Sequence, residues 1–110
     1  MQFEIIERGQ YTVIQVNEAR FDAKLAPSFR EELENIKGNI RDHLVLDLSE
    51  VRFMDSSGLG AIMGAYKMLR NSKISIVNPQ KPIVDLLKLT RMDKLILSHP
   101  TIEAALAATA

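Results

Sequence analysis

His43-Leu-Val-Leu-Asp-Leu-Ser-Glu-Val-Arg-Phe-Met-Asp55-Ser56-Ser57-Gly58-Leu59-Gly60 begins as an apolar run and breaks abruptly into a small, polar turn. Leu44, Val45, Leu46 and Leu48 make a nearly continuous apolar segment, the pattern of a strand covered on both faces in a parallel sheet. Asp55, Ser56 and Ser57 are residue types that cap helices, and Leu59, Ile62, Met63, Tyr66 and Leu69 follow at helical spacing. A strand therefore passes into a helix at this point. Its serines stand where the first backbone N–H groups of a helix have no partner within it.

Toward the N-terminus, Phe3 to Arg8 and Tyr11 to Val16 are rich in β-branched and aromatic residues and are separated by Gly9-Gln10, which predicts a hairpin. Leu25, Phe29, Leu33 and Ile36 then predict a first helix, with Pro27 in its first turn and Gly38-Asn39 closing it. Beyond the central stretch, Lys73 to Val77 reads as another strand, ended by the turn Asn78-Pro79. Pro82 starts a further helix whose apolar face is Ile83, Val84, Leu86, Leu87 and Thr90. Leu95-Ile-Leu97 reads as a short edge strand. Ser98 to Pro100 then open a last helix with the stripe Ile102, Ala105 and Leu106, and Ala104 to Ala110 read as its fraying end. The expectation is an α/β fold: one domain over residues 1–110, a mixed β-sheet opened by an N-terminal hairpin, with about four helices packed against it.

The composition suits such a domain, with 110 residues, 46% hydrophobic and 25% charged. Fourteen basic and fourteen acidic residues cancel, so no overall field draws the molecule to nucleic acid or an acidic membrane. Arg20, Arg41, Arg52, Arg70 and Arg91 are dispersed and lack an aromatic stacking platform, which speaks against nucleic acid again. The absence of cysteine fits a reducing compartment. No apolar run approaches the roughly 20 residues that span a bilayer, and Met1-Gln-Phe-Glu-Ile-Ile-Glu lacks the regions of a signal peptide, so a cytoplasmic location is expected. No large exposed apolar helix is expected either, and a monomer is the simplest state.

The run Asp55-Ser56-Ser57-Gly58-Leu59-Gly60 after an apolar strand resembles the signature of the anti-sigma factor antagonists, the STAS domain family of bacterial partner-switching phosphoproteins. The opening hairpin, the element order, the Asn78-Pro79 turn and the helix holding Leu86-Leu87 carry the resemblance over nearly the whole chain. It implies a cytoplasmic regulatory protein with no cofactor of its own. Its unphosphorylated form would bind a serine kinase that doubles as anti-sigma factor, a histidine-kinase-like ATPase. Phosphorylation would release that partner, and a PPM-type phosphatase would restore the binding form. The position matching the phosphorylated serine is Ser56, with Ser57 as runner-up. Asp22 matches an aspartate placed beside that site, and Asp55 the one preceding the serine. The implied contact face comprises Arg20, Phe21, Asp22 and Lys24 with Met54, Asp55, Ser57, Gly58, Leu59 and Gly60. Many relatives have a glycine before the segment containing Asp22, whereas this chain has Ala19-Arg20-Phe21-Asp22, so the shape of that loop and the choice of partner can differ.

The residues also admit blander readings. Ser56 can be a plain N-cap, or Asp55 can be the cap and leave Ser56 at the first turn; Asp22 can simply cap or turn the chain before the first helix. Gly58 and Gly60 can give a partner close access to the backbone, or be small so that the helix lies tightly on the sheet, the reading preferred for Gly64. The stripe Leu59, Ile62, Met63 and Tyr66 reads as core.

Enzyme chemistry finds little to stand on. Ser56 lacks the Gly-x-Ser-x-Gly setting of a nucleophile elbow, His43 and His99 have no sequence reason to meet it, and neither metal-ligand spacing nor a glycine-rich nucleotide fingerprint occurs. Two alternatives are kept. One is a STAS subunit that regulates a transporter ATPase without a phosphorylation cycle. The other is a small serine hydrolase acting through Ser56 or Ser57, which would be labelled by a serine-directed probe.

Overall fold

The computed structural model describes residues 2–40 and 42–108. Arg41, among the dispersed arginines, Met1, and Thr109 and Ala110 at the end of the expected terminal helix lie outside the described residues.

The opening hairpin forms as expected: β1 (Phe3–Arg8) runs antiparallel to β2 (Tyr11–Val16), from Phe3 opposite Val16 to Arg8 opposite Tyr11. Gly9 turns the chain with φ +69°, a conformation in which a Cβ would be strained. After a two-residue strand β3 (Arg20–Phe21), α1 (Ala26–Ile36) starts with Pro27 in its first turn and ends in a 3₁₀ turn over Lys37–Asn39. The apolar run at the centre becomes β4 (His43–Asp47), followed by the two-residue β5 (Phe53–Met54) and α2 (Ser56–Met68). Then come β6 (Lys73–Val77), α3 (Lys81–Leu89), β7 (Leu97–His99) and α4 (Ile102–Ala108).

Five strands form one sheet in the order β1-β2-β4-β6-β7, parallel throughout except for the hairpin, so the sheet is mixed. β4 lies at its centre, which is why its apolar run does not alternate. Leu44 and Leu46 face a core with Phe29 and Leu33 of α1, Ala61 and Ile62 of α2, and Ile83 and Leu87 of α3. On the opposite face Val45 joins Val13, Val77 and Ala105 of α4. Four helices thus sandwich one sheet.

Three local expectations are corrected. The last strand is Leu97–His99 and not Leu95–Leu97, because a 3₁₀ turn over Met92–Lys94 consumes Leu95, whose N–H donates to the Met92 carbonyl. Ser98 and His99 are consequently strand, and the last helix opens at Thr101, whose Oγ1 accepts from Ala104 N at 3.1 Å. Tyr66 is not core. The buried face of α2 is Gly58, Ala61, Ile62 and Ala65; Leu59 and Met63 are half-buried at its flank, and Tyr66 is 36% exposed.

Candidate functional site

The site is assembled by a second, two-stranded ribbon in which β3 pairs parallel with β5, Arg20 opposite Phe53 and Phe21 opposite Met54. The ribbon is pinned at both ends: Arg52 N and Phe53 N donate to the Ala19 carbonyl at 2.7 and 3.0 Å, and Asp55 N donates to the Phe21 carbonyl at 3.4 Å. This pairing draws the loop Arg20 to Lys24 against the start of α2. The two sequence segments of the expected contact face are therefore neighbours in space.

Asp55 settles which residue caps the helix. Its backbone is extended, and its Oδ1 accepts from Ser57 N at 2.9 Å and Gly58 N at 3.1 Å. With the capping done by that carboxylate, the Ser56 hydroxyl is not spent on the cap and stands exposed at the first helical position. Ser57 is half-buried. Orphan N–H groups and the positive end of the helix dipole make this tip favourable to added negative charge.

Beneath the tip, Phe21 and Met54 are buried, at 0% and 6% exposure, so both support the face from within the core rather than forming its surface. Gly58 is buried between them. A Cβ there would collide with the Phe21 carbonyl oxygen and come within 2.7 Å of Met54 Cγ, so close packing accounts for this glycine. Gly60 is different: its exposed position has only Arg30 Nη2 within reach, 3.9 Å from where a Cβ would be. Around Gly64 no atom lies within 4 Å of such a Cβ, so the expected tight packing on the sheet does not explain it; the close approach of α2 is made by Ala61 and Ala65.

Asp22 serves as a turn residue before α1. Its Oδ1 accepts from Lys24 N and Leu25 N at 3.1 and 3.3 Å, turning the chain into α1, while Oδ2 meets Arg20 Nε at 3.4 Å. Desolvation works to raise its pKa, but the two backbone donors and Arg20 outweigh it and hold the carboxyl below its ordinary 3.8. Arg20 in turn lies over the ring of Phe53, 4.3 Å from its centroid, and Phe53 is 41% exposed. Phe53 is absent from the expected contact face. Strand alternation offers the signal that could have found it: with Met54 turned inward, its neighbour must face out.

Neither histidine approaches Ser56. His43 shares the α4 side of the sheet with Val45 and bonds Ser75 Oγ through Nε2 at 2.7 Å. His99, in register with Val77, lies on that side too. The serine hydrolase alternative thus has no histidine to serve as a base for Ser56. Among the described residues no group of three His, Cys, Asp or Glu residues could hold a metal ion, and no helix is long and apolar enough to cross a membrane.

Comparison with known proteins agrees with this architecture. Residues 2–105 match the STAS domain family model. The chain is 37% identical over 79 residues to the anti-sigma-B factor antagonist of Listeria monocytogenes, a match spanning 70% of this chain and 68% of that relative. The crystal structure of an anti-sigma factor antagonist from Mycobacterium paratuberculosis superimposes with a TM-score of 0.86 at 25% identity, covering 96% of this chain and 91% of the other. The Bacillus cell fate determinant SpoIIAA in its phosphorylated form shares the fold with a TM-score of 0.73 at 17% identity, over 98% and 99% of the two chains. These relatives are named for regulation and not for a reaction, in line with the non-enzyme reading.

Proposed function

Because this chain belongs to the STAS domain family, we propose that it works as a regulatory binding module of the anti-sigma factor antagonist type, switched at Ser56. The unphosphorylated form binds an anti-sigma factor that is also a serine kinase of the histidine-kinase-like ATPase type. Its contact face is the exposed surface of the Arg20 to Lys24 loop and the first turns of α2. Transfer of phosphate to Ser56 releases the partner, and a PPM-type phosphatase resets the cycle. Nucleotide belongs to the partner, and a cytoplasmic location follows from this role.

The observation that carries the reading is the division of labour at Asp55 and Ser56: the carboxylate caps the helix, and the exposed hydroxyl beside it is left over for chemistry. A phosphate on Ser56 brings about −1.5 to −2 charges to that point. On the isolated domain the helix terminus favours it by roughly 0.3–1 kcal/mol, and Asp55 and Asp22 offset part of that. In an apposed interface an uncompensated charge costs on the order of 3–5 kcal/mol, more than about a hundredfold in affinity. The interface effect is the larger, so phosphorylation changes binding while sparing the fold.

The test pairs the purified chain with a histidine-kinase-like anti-sigma factor encoded in the same genome, with and without ATP. The reading expects one phosphate, mapped to Ser56 and missing from Ser56→Ala, and a complex that the phosphate dissolves. Equal phosphorylation of Ser56→Ala, or undiminished binding by the phosphorylated chain, would overturn it.

A further inference from the structure

A second surface lies at the far end of α2. Tyr66 is ten residues beyond Ser56, about 15 Å along the helix axis. β7 enters the sheet at the register Ser75–Leu97, so Lys73 and Ile74 at the start of β6 extend past the end of the edge strand. This step in the sheet edge opens a groove of about 810 Å³, walled by Met63 and Tyr66 of α2, Ile74 of β6, and Leu95 and Leu97. Tyr66, Leu95 and Leu97 are 36%, 45% and 59% exposed, three of the five large apolar side chains most exposed among the described residues. Apolar side chains clustered around one concavity mark an interaction site more often than chance exposure does.

The charge around it has one sign. Lys67 and Arg70, exposed near the C-terminal end of α2, and Lys73 line the groove, and no Asp or Glu among the described residues does. Among the described residues, neither Lys67 nor Arg70 is ion-paired. We infer that this groove is a second docking surface, and that its occupant is a short acidic segment of another protein whose apolar side chains fill the space between Tyr66 and Leu97. An apolar floor beneath a cationic rim selects such a peptide: burial supplies affinity, and the rim excludes basic sequences. The groove is independent of Ser56 and of the switch proposed there.

Panning a random displayed peptide library on the full chain, followed by fluorescence anisotropy with a labelled copy of the enriched peptide, tests the inference. Enriched sequences should combine Asp or Glu with apolar residues. Their affinity should fall about tenfold in the double variant Lys67→Glu/Arg70→Glu and weaken as salt rises. Leu97→Asp should abolish binding, whereas Ser56→Asp should leave it intact. All these positions are exposed, and circular dichroism would verify that each variant stays folded. Enrichment of neutral or basic peptides, or binding indifferent to the rim and Leu97 variants, would overturn the inference. So would a dimer of the chain that Leu97→Asp dissociates, since the groove would then belong to a second copy.

Discussion

Truncating Asp55 to alanine removes the acceptor of two N–H donors at the head of α2 and should cost about 1 kcal/mol of stability, measured as a shift in the urea midpoint. Asp55→Asn, which retains a carbonyl oxygen, should recover most of it. Ser56→Ala should instead shift stability by less than about 0.5 kcal/mol, as at ordinary exposed positions, because the cap does not use that hydroxyl. This contrast between adjacent residues separates the group that caps the helix from a hydroxyl that the cap does not use. The sequence alone left the capping residue open, since aspartate and serine cap equally well; only the backbone geometry at Asp55 decides between them. Phe53 escaped for a related reason. Alternation gives its facing only once Met54 is known to point inward, and a two-residue strand is too short to show that by its own pattern.

At the scale of elements, the long periodic segments were legible and the short ones were not. The hairpin, β6 and the helices α1 to α3 carry enough repeats to declare their period, β4 declares itself by an unbroken apolar run, and all of them lie close to where the sequence places them. The ribbon of β3 and β5, two residues per strand, carries no such signal, yet it brings the two halves of the site together. Tyr66 misled because its spacing is helical, whereas small residues, Gly58, Ala61 and Ala65, let α2 lie close and turn that face inward instead. The junction between ribbon and helix makes its own prediction. Gly58→Ala would force a methyl group against the Phe21 carbonyl and Met54, and should destabilise by about 2 kcal/mol in urea denaturation, whereas Gly64→Ala, in open space, should be neutral or mildly stabilising.

Across the whole molecule, the sheet separates two chemistries. Ser56 heads a helix on one face, while His43 lies buried on the other. Burial first, then the neighbouring Lys73 and His99, depress the His43 pKa below its ordinary 6.5. The unfolded chain therefore takes up a proton that the folded one resists, so stability should fall as pH drops below 6.5 toward the depressed value. Urea titrations at about pH 7 and about pH 5 should show this loss, and His43→Gln should flatten the part of the slope due to this residue. The STAS family and the mixed sheet were legible because a strand running into a capped helix is a local pattern repeated along the chain. The groove at the edge of β7 was not, since it depends on a register between distant strands. The central claim concerns one charge at one helix tip, and the most direct measurement is the affinity of the kinase-type anti-sigma partner for the chain before and after phosphorylation, by calorimetry. A loss of more than about a hundredfold, reproduced in direction by Ser56→Asp and absent in a Ser56→Ala control treated with kinase, is the predicted result; equal affinity for the two forms would contradict the account.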